Sequence, residues 1–283
     1  MESCCITFAG VTFAVEYEGE AAARIIDFLY GRLPPGAGGA PSLTYRLLQQ
    51  GSALHLYREG ELIYRGADLP LCANLLLGQS CRHLASESRE GMVFHAAVLV
   101  WQGLGLLLPG TIGAGKSTLA AWLVEKGLAY LTDELAFVPL GSDRVQGFTR
   151  PFNLKPPALD LLRREAQGSV VCERWSGPGF DMLSPECLGP VTAGAAPPLR
   201  RLLFPHYAPQ SVPTVRRLTG GQAALALMGT LVNARNLPEH GLGEVARLAE
   251  QTVAYALHYS AFDQVEGAID ELLGGLAAGA SER

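Results

Sequence analysis

The stretch Gly110-Thr111-Ile112-Gly113-Ala114-Gly115-Lys116-Ser117 admits few backbone shapes. It follows Leu104–Leu108, an apolar run that reads as a strand. It precedes Ser117–Lys126, whose spacing reads as a helix closed by Gly127 at the C′ position. A G-x4-G-K-S pattern between a strand and a helix is the phosphate-binding loop. Its glycines let the backbone close around phosphate oxygens with successive N–H groups pointing inward, and the helix adds its positive N-terminal end. Gly110, Thr111, Ile112, Gly113, Ala114, Gly115, Lys116, Ser117 and Thr118 are therefore the expected phosphate-binding residues. Lys116 suits the β- and γ-phosphates, and the Ser117 hydroxyl suits Mg²⁺. An ordinary glycine-rich turn would need neither the flanking elements nor the Lys-Ser pair.

The rest of the chain can support such a loop. Of 283 residues, 48% are apolar and 17% charged, which predicts a sizeable core rather than disorder. A net charge of −5 offers no strong field for nucleic acid, so no nucleic-acid partner is expected. No apolar run approaches a membrane span, and no signal-peptide pattern opens the chain, so a cytoplasmic protein without membrane contact is expected. None of the six cysteines has C-x-x-C spacing, and unpaired thiols in a reducing compartment are the expectation.

Two segments emerge. Residues 1–88 read as a small α+β domain: a strand pair over 5–17, a helix over Ala21–Leu33, a loop at Pro34–Gly39, three short strands near Leu43–Leu48, Ala53–Tyr57 and Glu61–Tyr64, and a helix over Leu69–Ser86. Residues 89–283 hold the loop. Met92–Trp101, Gln102-Gly103 and Leu104–Leu108 read as a hairpin. Ala129–Leu131 is a short strand, followed by the apolar run Leu135–Leu140. Eight prolines between 150 and 200 predict loops with one helix near Ala158–Ala166. Leu202–Phe204 reads as a strand. Thr219–Val232, Leu242–Tyr255 and Gln264–Leu276 read as helices.

Asp133-Glu134 stands sixteen residues past Ser117, an interval that a helix and a strand fill. The pair is expected at the end of the strand next to the loop, where a carboxylate can hold Mg²⁺ or accept a proton from an attacking hydroxyl. So early a carboxylate suggests a small kinase rather than a motor or GTPase. His95, within Val93-Phe94-His95-Ala96-Ala97, is either a hydrogen-bonded core histidine or a group that orients Asp133. Arg150 and Lys155 could neutralise charge on a transferring phosphoryl group or could simply be surface charge. Arg200, Arg201, His206, Arg216 and Arg217 could grip an anion or form a solvated face. Asn233, Arg235 and Asn236 follow a helix, where such residues cap or turn.

Phe94-His95-Ala96-Ala97, the hairpin, Gly110–Thr118 and Tyr130–Glu134 together resemble the HPr kinase/phosphorylase family. The likeness is to its smaller HPr-kinase-related members, which often accompany peptide-modification clusters. It covers about Met92–Lys155. It implies an α/β fold with a phosphoenolpyruvate-carboxykinase-like P-loop core and a mixed sheet. It also implies that Asp133 is the general base, that His95 modulates it, and that Glu134 helps to bind magnesium. Thr118 stands where HPr-specific members carry an acidic residue, and Glu134 where they carry a second aspartate. These departures point away from HPr as acceptor and from the reverse phosphorylase activity.

The resulting expectation is an ATP- and Mg²⁺-dependent serine kinase. It would move the γ-phosphoryl group to Ser or Thr of a peptide or small protein, a ribosomal precursor peptide among them, and would admit a homo-oligomer. Two alternatives stay open: a kinase for a free amino acid or sugar, and a nucleotide-binding regulatory protein with little catalysis.

Overall fold

The computed structural model describes residues 1–34, 36, 39–155 and 172–278. The helix expected near Ala158–Ala166 lies outside them, as does part of the Pro34–Gly39 loop. Strands β1 (Glu2–Phe8) and β2 (Val11–Glu18) pair antiparallel about Ala9-Gly10, both at positive φ. Helix α1 (Glu20–Tyr30) crosses over to β3 (Thr44–Gln50), which runs parallel to β2. β4 (Ala53–Arg58) and β5 (Glu61–Gly66) complete a five-stranded sheet in sequence order. Helix α2 (Leu69–Glu87) begins where the Asp68 carboxylate accepts the Leu71 N–H at 2.9 Å, satisfying one free donor of the first turn. Ile25 and Leu29 of α1, with Leu76 and Leu84 of α2, bury against Phe13, Val15, Tyr45 and Leu47. The same cluster takes in Leu135, Phe137, Phe148, Trp175 and Met182, so the N-terminal sheet packs directly on the later part of the chain.

β6 (Gly91–Trp101) and β7 (Leu104–Pro109) form the expected hairpin. Gln102 and Gly103 both have positive φ, the primed turn whose twist matches its strands. β7 leads through the glycine loop into α3 (Lys116–Glu125). β8 (Ala129–Thr132), β9 (Leu135–Pro139) and β10 (Gln146–Gly147) follow, then β11 (Phe152–Leu154), β12 (Arg174–Gly177) and β13 (Phe180–Leu183). The chain continues through β14 (Leu199–Tyr207), β15 (Thr214–Arg217), α4 (Gly220–Met228), α5 (Leu242–Gln251), β16 (Val253–Tyr259) and α6 (Glu266–Ala278).

The second sheet has eight strands in the order β10-β9-β6-β7-β14-β16-β15, with β8 also paired to β6. It is mixed: β14 is parallel to β7 and to β16, whereas β6 is antiparallel to β7, β8 and β9. Alternation along β6 sorts its side chains. Ala97 and Leu99 pack with α3 and α6, while Phe94, Ala96 and Val98 pack with α4 and α5 on the other face.

Several expectations change. The segment expected to be helical through Tyr255 leaves the helix at Gln251, and Val253–Tyr259 is β16, a strand held by parallel pairing with β14. Its alternation of larger and smaller residues fits a pleated strand better than a helix. The proline-rich stretch holds a three-stranded sheet, β11-β13-β12, and β15 is a further strand that the reading omitted. Cys172 and Cys187 form a disulfide with Cα atoms 5.1 Å apart, which corrects the expectation of six idle thiols. Their spacing carries no signature, because the fold rather than the sequence brings them together. No helix among the described residues is long and apolar enough to cross a membrane.

Asn233 does more than turn the chain. Wholly buried, its Oδ1 accepts the Val93 N–H at 2.9 Å, and its Nδ2 donates to the carbonyls of Gly91 (2.8 Å) and Ser88 (3.1 Å). It fixes the start of β6 beside the isolated bridge between Phe94 and Leu231. Asn233→Ala leaves buried backbone groups unsatisfied and is expected to lower stability by about 3 kcal/mol, read as a drop in urea midpoint at unchanged slope.

Candidate active site

The loop between β7 and α3 has the shape that its glycines allow. Gly113 and Gly115 adopt φ of 88° and 92°. A Cβ on Gly115 would collide with the Tyr259 hydroxyl and lie 2.9 Å from Tyr207 Cβ. The ends of the two neighbouring strands brace the loop: Tyr207 N–H donates to the Ala114 carbonyl at 3.1 Å, and the Tyr259 hydroxyl to the Gly115 carbonyl at 3.3 Å. Leu119 N–H closes the first helical bond onto the Gly115 carbonyl. Lys116 is buried, and its Nζ donates to the Thr111 carbonyl at 3.0 Å, spanning the loop. Burial holds its pKa below the usual lysine range, and the Glu134 and Asp133 carboxylates pull it back up.

The acidic pair does not sit on the strand next to the loop. The hairpin puts β6 between them, so β8 lies one position further out. Nor does the chain turn away after β8. β8 and β9 are collinear along the same β6, pairing with Val98–Val100 and Gly91–His95 respectively. Asp133 and Glu134 occupy the break between them, where Ala96 N–H donates to the Glu134 carbonyl at 3.1 Å. His95 is thus brought between the loop and the acidic pair.

Successive residues at this break point opposite ways. The Asp133 side chain is wholly buried and does not open onto the cleft, which corrects the expectation that it would meet an incoming hydroxyl. Its Oδ1 lies 3.1 Å from Arg150 Nη2 and 3.1 Å from the Tyr130 hydroxyl, while its Oδ2 has no hydrogen-bond partner. Burial pushes its pKa up, and Arg150 opposes that. Glu134 faces the cleft. Its Oε2 accepts from Arg150 Nη2 at 2.7 Å, and its Oε1 lies 3.5 Å from His95 Nε2. Burial holds the His95 pKa below its usual value and Lys116 lowers it further, with Glu134 opposing both.

Arg150 is therefore not a free surface charge. It is buried between both carboxylates; burial lowers its pKa, but Asp133 and Glu134 outweigh this and hold it above the usual range. Lys155 is exposed on the cleft wall. Arg200 pairs with Asp143 at 2.7 Å, outside the cleft.

One cleft of about 1260 Å³ joins these groups: Lys116, Ser117 and Thr118 on one side, His95 and Glu134 on its floor, Lys155 opposite. The reading missed Tyr207 and Tyr259, which sit at the ends of strands β14 and β16, and Asn74 and Asn153, which line the same cleft. A lone amide inside the apolar run Leu71–Leu77 was the signal for Asn74. Gly113 and Gly115 take the positive φ that lets loop N–H groups turn toward a phosphate, and Gly115 leaves no room for a Cβ against Tyr207 and Tyr259. Mg²⁺ is bound through one or two protein oxygens plus phosphates, and the Ser117 hydroxyl meets that need beside the loop. Asp133→Asn leaves the buried Arg150 short of a counter-charge, and the expected result is a loss of about 3 kcal/mol in denaturant titration with nucleotide affinity retained.

No protein-family model matches the chain, and no curated protein matches it. Among solved structures, the HPr(Ser) kinase/phosphatase from Coxiella burnetii is similar over 68% of this chain and 98% of its own, at 13% identity and a TM-score of 0.29.

Proposed function

We propose that this protein is an ATP-dependent phosphotransferase that moves the γ-phosphoryl group to a hydroxyl of a peptide or small protein. One observation carries the reading: a phosphate-binding loop with a buried lysine shares a single cleft with a carboxylate–histidine pair. The loop amides and Lys116 hold the β- and γ-phosphates, and Ser117 is the protein ligand for Mg²⁺. When bound, the ion neutralises charge on the phosphates. Glu134 takes the part of proton acceptor, because it is the member of the acidic pair that faces the cleft. Asp133 and Arg150 hold it there.

The hydroxyl oxygen forms a bond to the γ-phosphorus. The bond from that phosphorus to the β,γ-bridging oxygen breaks, its electron pair leaving with ADP, and the hydroxyl proton passes to Glu134. Arg150 holds Glu134 Oε2 at 2.7 Å and so fixes where Oε1 meets the incoming hydroxyl, which suffices where the transition state is loose and positioning dominates. His95, neutral at pH 7, leaves Glu134 Oε1 available.

Intact-mass spectrometry after incubation with Mg·ATP, serine-bearing peptides and free amino acids tests the reading. A gain of one phosphate on a peptide is expected, and a gain on free small molecules alone would overturn the peptide assignment. Glu134→Gln is expected to lower kcat at least 100-fold with nucleotide binding retained, measured by isothermal titration. If Glu134 acts only as a structural partner of Arg150, kcat and stability fall together instead.

The pH profile follows from His95. Burial and Lys116 hold its pKa below the usual histidine value, so kcat is expected to stay level from pH 8 through 6.5 and to fall only once the pH passes below the lowered pKa, as a protonated His95 engages Glu134. His95→Gln is expected to remove that acid limb.

A further inference from the structure

Two amides meet where the N-terminal sheet and helices join the rest of the chain. Asn74 lies on α2, between Ala73 and Leu75, and Asn153 lies in the middle of β11, between buried Phe152 and Leu154. Asn153 Nδ2 donates to Asn74 Oδ1 at 2.9 Å. Both are half-buried, and both line the cleft that contains Lys116 and Glu134. Among the residues lining that cleft, Asn74 alone comes from the first 88.

Asn153 is held firmly. It pairs with Met182 on β13, and its neighbours Phe152 and Leu154 are buried in the core. The tip of the β12–β13 hairpin, Pro178-Gly179-Phe180, lines the cleft beside it. A site on paired strands keeps its geometry better than one on a free loop.

The chemistry of the pair is specific. Once the two side chains bond to each other, one amide presents unused N–H groups and the other an unused carbonyl. Reversing both amide orientations exchanges the two roles but leaves the same pattern of one donor and one acceptor. A phosphate or carboxylate can use only the donor, and an ammonium group only the acceptor. A residue within an extended peptide, whose own N–H and C=O point to the same side, uses both. The pair is also neutral, so it selects for an uncharged group.

We propose that Asn74 and Asn153 form an acceptor subsite that reads the backbone N–H and C=O of one extended residue at or beside the reacting hydroxyl, and that the N-terminal segment contributes to recognition through Asn74. This rests on the phosphotransferase reading. It assigns to the acceptor a peptide bond adjacent to the serine or threonine, which free amino acids and sugars lack.

The test uses N-acetyl-Gly-Ser-Gly amide, free L-serine and glucose as probes with the full chain and Mg·ATP. The wild type is expected to transfer to the blocked peptide with a kcat/KM at least tenfold above that for the other two. Asn74→Ala and Asn153→Ala are expected to raise the peptide KM about tenfold, the loss of one to two neutral hydrogen bonds, with kcat and the KM for ATP unchanged. Asn74→Asp keeps the side-chain shape while removing the N–H donors, and guards against a folding defect as the cause. An unchanged peptide KM in all three variants, or equal use of serine or glucose by the wild type, overturns the proposal. Saturation-transfer NMR of the same peptide separates the two readings. Peptide contact in the wild type that disappears in Asn74→Ala supports the subsite even if no phosphate moves, in which case the transfer reading fails by itself. Equal contact in both proteins overturns the subsite.

Discussion

The site depends on one buried ion cluster, Arg150 between Asp133 and Glu134. An arginine this enclosed is costly unless it is compensated, and two carboxylates supply the compensation from a single break in the β6 ladder. The break exists because β8 and β9 share the same partner strand. A continuous ladder would tie both residues into regular pairing. Interrupted, it sends one carboxylate into the core to anchor Arg150 and leaves the other at the cleft. The Tyr130 hydroxyl bonds to Asp133, and the Tyr130 ring packs on Phe152 with centroids 4.3 Å apart, which ties the cluster to β11.

The phosphate loop is braced independently. Its carbonyls at Ala114 and Gly115 are held by Tyr207 and Tyr259, from the ends of β14 and β16, the first and second strands beyond β7 in the sheet. Loop and acidic pair thus belong to opposite flanks of the β6–β7 hairpin, and His95 lies between them. The hairpin sets the distance between the loop and the acidic pair. Electrostatics follow from the same layout: Lys116 and Glu134 act on His95 with opposite signs, and burial decides in favour of the neutral ring.

The N-terminal sheet contributes more core than chemistry. Its helices bury against Phe148, Trp175 and Met182, and that contact carries α2, and with it Asn74, to the edge of the cleft. The disulfide between Cys172 and Cys187 lies on the same side, next to Arg32, which pairs with Glu186 at 2.7 Å and donates to Ser184.

What the sequence determined by itself is local in the chain. The glycine loop, the hairpin with its Gln-Gly turn, the capped α2 and the alternating N-terminal strands each follow from residues within a few positions of one another, where φ preferences and side-chain period act directly. It also marked His95, Lys116, Ser117 and the acidic pair. Only the tertiary structure decided which acid faces the cleft, because alternation names two opposite faces without saying which one is buried until β6 sets the register. The same holds for Arg150, whose partners Glu134 and Asp133 lie sixteen and seventeen residues back, and for Asn74 and Asn153, which meet across 79 residues. It holds too for Val253–Tyr259, where parallel pairing with β14 made a strand of what helical spacing had claimed. Contacts between distant segments are set by packing and sheet register, and neither is written in the spacing of any one segment.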